Sequence, residues 1–118
     1  MNIKQFSQRI GLSPYTLRYY EKISLLRDIK RDSSGHRLYS ENDIEWLKFI
    51  IRLKETGMPL ERIKEYAELR ASGDKTFAAR QQLLEEHKEN LKHSIEEQQS
   101  HLKALENKIH YYQTKINA

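Results

Sequence analysis

Residues 11–21 read "GLSPYTLRYYE" and crowd Tyr15, Thr16, Arg18, Tyr19 and Tyr20 into one short run behind Ser13. Side chains of these types can fill a small core, line a ligand pocket or reach along a phosphate backbone. A second group follows in "DIKRDSSGHRLYS", where Lys30 and Arg31 precede a turn and Arg37 and Tyr39 follow it. Guanidinium, ammonium and phenol groups in that density suit phosphate binding, which positions a protein on a polyanion and makes its affinity salt-sensitive. Catalysis is not expected: the chain has no phosphate-cradling glycine loop and no carboxylate or Ser/His grouping of a recognisable kind. With no cysteine, disulfides and thiolate metal sites are excluded. His87, His93, His101 and His110 are separated by six, eight and nine residues, and none forms the i, i+3 or i, i+4 pair of a helical metal site. They read as solvated or interfacial, and no cofactor or metal is expected.

The elements that must position these groups follow from caps and periodicity. Ile3, Phe6 and Ile10 have helical spacing and stop at Gly11, a natural C-cap. Ser13 as N-cap and Pro14 at the first position open a second helix, on which Leu17 and Tyr20 face inward and Tyr15, Thr16, Arg18 and Tyr19 outward. Two short helices across a tight turn make a helix-turn-helix. The "DSSG" turn between KR and HRLY predicts a small β-hairpin with basic arms, in which polar and apolar residues alternate on the second arm. Ser40 caps the next helix with Asp43 as its capping-box partner, and Ile44, Trp46, Leu47, Phe49, Ile50, Ile51 and Leu53 make it the main core element. Gly57 ends it, and Pro59 opens a fourth helix with Leu60, Ile63, Tyr66, Ala67 and Leu69 on its buried side. The "ASGD" break at 71–74 marks the boundary between a domain at 1–72 and a segment at 75–118.

Across the 118 residues, 37% are hydrophobic and 32% charged, a balance that suits a small core with an extended solvated helix. Net charge is +4. Residues 1–40 carry eight Lys/Arg against three acids, so all the excess positive charge lies in the first third. That is the footprint of a protein that binds a polyanion. After the break, steps of four and three pick out Leu84, Lys88, Leu91, Ile95, Gln98, Leu102, Leu105, Ile109, Tyr112 and Ile116. A helix with so narrow a stripe needs a partner, so a coiled-coil dimer is expected, with Lys88 and Gln98 fixing register or orientation. The N-terminus lacks a signal-peptide run and no stretch approaches membrane-spanning length, so a cytoplasmic protein without a membrane partner is expected.

The strings "TLRYYE", "GHRLYS" and "LKETGMPLERI", in this order and spacing and followed by a heptad helix, resemble the MerR family of bacterial transcription regulators along the whole chain. The resemblance implies a mainly α fold: a winged helix-turn-helix DNA-binding domain followed by a long dimerising coiled-coil helix. It implies base-edge contacts from Ser13, Tyr15, Thr16 and Tyr19, with Tyr19 equally readable as a backbone contact, and a phosphate contact from Arg18. The hairpin becomes the wing, with Arg37 and Tyr39 on phosphates beside Lys30 and Arg31; Tyr39 has the alternative of covering the hairpin, while Tyr20 reads as core with a DNA contact as its alternative. The implied partners are double-stranded promoter DNA, a second copy through an antiparallel coiled coil, and RNA polymerase on a promoter whose overlong spacer the dimer bends and untwists. The resemblance would place a sensor region after the coiled coil, where this sequence ends, so no appended drug-binding domain is expected. Aldehyde-responsive relatives hold a cysteine near position 52, where this chain has Arg52. An unknown small-molecule effector, not sensed by a thiol, or no effector at all is left. Two other classes compete: an architectural excisionase-like DNA-binding protein, which the heptads argue against, and a coiled-coil adaptor, which has no use for the basic N-terminal third.

Overall fold

The first helix begins where Asn2 caps it. In the computed structural model, which describes Met1–Ala118, the Asn2 side chain accepts from the Gln5 N–H at 2.8 Å while the Gln5 side chain accepts from the Asn2 N–H, a reciprocal cap the sequence reading did not foresee. This helix, α1 (Ile3–Ile10), ends at Gly11 with φ 77°, a left-handed position that costs a glycine nothing. Helix α2 (Pro14–Lys22) starts from Ser13 as expected. Strands β1 (Lys30–Arg31) and β2 (Arg37–Leu38) pair antiparallel, with Lys30 opposite Leu38 and Arg31 opposite Arg37. Their turn is held by the Asp32 carboxylate, which accepts the Ser34 and His36 N–H groups, both at 2.9 Å. Backbone bonds pair Tyr39 with Met1: the Tyr39 N–H donates to the Met1 carbonyl at 2.7 Å.

Helix α3 (Glu41–Glu55) carries the expected Ser40–Asp43 capping box and buries Ile44, Trp46, Leu47, Ile50 and Leu53. It packs on α1 and on α4 (Leu60–Ala71). Phe6, Leu17, Leu26, Ile44, Leu47 and Ile50 form the centre of the core. Its other wall is aromatic. The Trp46 indole donates to the Leu25 carbonyl at 2.6 Å, stacks on Tyr66 at 5.7 Å and 13°, and lies beneath the Arg70 guanidinium at 4.1 Å. Leu60 departs from expectation. It is exposed, because it occupies the first position of α4, and the apolar residue that enters the core there is Met58, tied by its N–H to the Leu53 carbonyl.

A short 3₁₀ turn (Asp74–Thr76) leads into α5 (Phe77–Ile116), a helix of 40 residues. The chain divides into two units, Met1–Arg80 and Gln81–Ala118, so the boundary falls later than the expected break at 71–74. Hydrogen bonds explain the shift. Thr76 donates its hydroxyl to the Leu69 and Gly73 carbonyls, and Arg80 donates to the Thr76 hydroxyl and the Gly73 carbonyl, both at 3.0 Å. The first turn of α5 is thereby fastened to the end of α4. In the second unit Leu83 is buried and Leu84 and Leu91 are half-buried. Ile95, Leu102, Leu105, Ile109, Tyr112 and Ile116 are exposed. The architecture is thus mainly α: a winged helix-turn-helix with a two-stranded hairpin, followed by one long helix. No helix is long and apolar enough to cross a membrane.

Candidate nucleic-acid interface

Leu17 and Tyr20 are buried, and this fixes the rotation of α2 about its axis. What they leave outside is the set the sequence singles out. Tyr15 is 78% exposed, Thr16 half-buried, Arg18 and Tyr19 exposed. Ser13 holds the helix start: its hydroxyl accepts the Thr16 N–H at 3.1 Å and donates to the Thr16 hydroxyl at 3.0 Å. Both small hydroxyls therefore sit with Tyr15 at the N-terminal end of α2. That is the end from which a recognition helix reaches base edges.

The hairpin stands beside this helix. Arg18, Arg31 and Arg37 line one cleft of about 550 Å3 together with Asn2 at the start of α1. Arg31 is braced by a bond from its guanidinium to the Gly35 carbonyl at 2.7 Å. Lys30 is exposed on the same strand. Arg18 has no carboxylate partner, whereas Arg37 is half-buried and donates from Nε to the Glu21 carboxylate at 2.6 Å. The three guanidinium groups outnumber the one carboxylate in the cleft wall, Asp32, and such a concave surface attracts phosphate oxygens.

Tyr39 is a correction. It is only 4% exposed, its ring lies 4.3 Å from that of Phe6, and its hydroxyl is buried without a hydrogen-bond partner. Burial, reinforced by the Glu21 carboxylate, raises its pKa. A phenol so enclosed presents nothing to a phosphate; it covers the base of the hairpin, the alternative reading. The reason is the two-residue period of strands: Arg37 and Tyr39 share the inward face, and apolar Leu38 between them points out at 42% exposure. Tyr20 is core. Glu21 and Asn2 were missed. Glu21 stands three residues after Arg18, which signals an intrahelical pair rather than a bond to the wing.

The long-helix histidines gather no metal cluster: nowhere do three or more His, Asp or Glu side chains meet in a group that would hold an ion. His93 lies 3.3 Å from Glu97, one turn away.

The sequence profile of the MerR HTH family regulatory proteins matches residues 1–69, and the MerR DNA-binding profile matches residues 44–110. An uncharacterized HTH-type transcriptional regulator of Haemophilus influenzae is 41% identical over 107 residues, which is 91% of this chain and 79% of that protein. The HTH-type transcriptional regulator AdhR of Bacillus subtilis is 41% identical over 91 residues, 77% of this chain but 65% of its own length. Among solved structures, that of HiNmlR, described as a MerR family regulator lacking the sensor domain and bound to promoter DNA, superposes with a TM-score of 0.86 at 39% identity. It covers 96% of this chain and 90% of that one.

Proposed function

The chain belongs to the MerR family of DNA-binding transcription regulators, and from that premise we propose that it acts as a homodimer on promoter DNA. The observation that carries the DNA-binding part is that α2, with Tyr15 and Thr16 at its start, places Arg18 in one cleft with Arg31 of the hairpin, while Lys30 is exposed on the same strand. In this reading Ser13, Tyr15, Thr16 and Tyr19 face the bases, and the cations hold backbone phosphates. A helix-turn-helix alone occupies one half-site, and two are joined when the chain dimerises. Six apolar side chains of α5 left in water, Ile95, Leu102, Leu105, Ile109, Tyr112 and Ile116, favour pairing with a second copy. Leu84 and Leu91 extend the same stripe. Antiparallel pairing puts the two winged domains apart on one face of the duplex.

The dimer then works by deforming DNA. Gripping a promoter at two places, it bends and untwists an overlong spacer so that RNA polymerase meets both promoter elements in register. Smooth bending over such a site costs on the order of 1–6 kcal/mol, which added phosphate contacts offset. A small-molecule signal, if the protein uses one, is read without thiol chemistry, because the chain has no cysteine. Nuclease footprinting on the promoters of its own and neighbouring genes tests the whole reading. The expected result is a protected site with dyad symmetry and enhanced cleavage at its centre; protection of a single half-site on straight DNA would overturn it.

A further inference from the structure

Glu21 occupies an unfavourable place for an acid. It lies on the helix proposed to enter DNA, three residues after Arg18, where a carboxylate would repel phosphates and could neutralise the helix's own arginine. It does neither here: it is half-buried, and its Oε2 accepts from Arg37 Nε on β2 at 2.6 Å. The wing has a specific need for that charge. The hairpin register sets Arg31 opposite Arg37, two like charges facing across strands of two residues each. Like charges directly opposite destabilise a hairpin, and a hairpin so short is marginal by itself. Past the second strand, Tyr39 is tied to Met1 by two backbone hydrogen bonds, while its buried hydroxyl makes none.

Resting on the DNA-binding reading above, we propose that Glu21 is a positioning residue whose pairing with Arg37 locks the wing to α2, so that Arg37 is half of this lock and not a phosphate contact. The lock cancels one charge of the Arg31–Arg37 pair, so the cross-strand repulsion falls. It also turns the carboxylate away from Arg18, which is left unpaired for the backbone. The wing's angle to the helix, and so the spacing of Arg18 from Arg31 across the cleft, is set before DNA arrives.

The test is a double-mutant cycle in the full chain with Glu21→Gln, Arg37→Gln and the double variant. Two duplexes serve as probes: one of random sequence and one selected from a random library by the wild type. The lock predicts that each single variant weakens binding to the selected duplex by roughly fivefold, and that the double variant is no worse than either single. Glu21→Gln should leave the salt slope unchanged, and Glu21→Asp, which keeps the charge but shortens the reach, should fall between wild type and Glu21→Gln. Tighter binding by Glu21→Gln, or a salt slope lowered by about one in Arg37→Gln with Glu21→Gln silent, would overturn the lock and restore Arg37 as a phosphate contact. Hydrogen exchange without DNA separates this from failure of the DNA reading. Wing amides at 30–38 should exchange faster in both single variants, at unchanged far-UV circular dichroism; unchanged exchange overturns the lock whatever the protein binds.

Discussion

Arg18 is a cation of α2 that no carboxylate claims, with exposed Tyr15 one turn ahead of it and half-buried Thr16 beside Ser13 at the helix start. Their chemistry separates their expected phenotypes. Arg18→Ala should weaken binding to every duplex alike and lower the slope of log K against log salt by about one, the mark of one lost phosphate contact. Thr16→Ala and Tyr15→Ala should instead change the preference among sites, read by competing selected against random duplexes; uniform losses would remove their base-reading role. The wing carries its own pH signature. The Asp32 carboxylate accepts the His36 N–H above all, and also that of Ser34, which holds its pKa below the ordinary aspartate value. A depressed carboxylate stabilises the turn fully above the unfolded value, about pH 4, and that contribution fades as pH falls through the lowered folded value. The Ser34 amide resonance should therefore follow the carboxylate and shift with a midpoint in acid. A midpoint at or above the ordinary aspartate value would show that the turn does not hold the carboxylate.

At the scale of elements, caps and interfaces give graded tests. Ser40→Ala removes the hydroxyl that accepts the Asp43 N–H at 3.2 Å and should cost about 1 kcal/mol in thermal or chemical unfolding. Leu102→Asp with Leu105→Asp places two charges in the exposed stripe of α5. The double variant should sediment as a monomer and bind its operator roughly 10²–10⁴-fold more weakly, the advantage conferred by linking two half-site contacts. A wild-type chain that sediments as a monomer at micromolar concentration would refute the premise. These elements were legible because their signals are local: Gly11, Ser13, Ser40 and the helical spacing of Phe6, Leu17 and Ile44 each act within one turn. The misreadings came where a distant neighbour decides. Leu60 lost its core place to Met58, the inward face of β2 was set by Phe6, and the boundary moved because Arg80 reaches back to Gly73. Glu21 was missed on the same ground, since its partner lies 16 residues away on another element.

For the molecule as a whole, the proposed deformation mechanism makes the promoter spacer the variable to test. Shortening it toward the usual length should make transcription in a reconstituted assay independent of the protein, or turn the protein into a repressor. If the natural spacer is already of ordinary length and the bound duplex is straight, the deformation mechanism fails. The packing of Trp46 bears on the whole chain in another way, because this is the only tryptophan. Its indole touches the carbonyl of Leu25, the ring of Tyr66 and the guanidinium of Arg70, so its fluorescence reports on the unit Met1–Arg80. Most of the 40-residue helix lies in the other unit, which has no tryptophan and adds to the ellipticity alone, beside the 44 residues of α1 to α4. The protein thus carries two separate optical channels. On dilution, ellipticity should fall as unpaired long helices fray, while the tryptophan emission stays at its native wavelength; coincident loss in both channels would mean that the winged domain cannot stand without its twin.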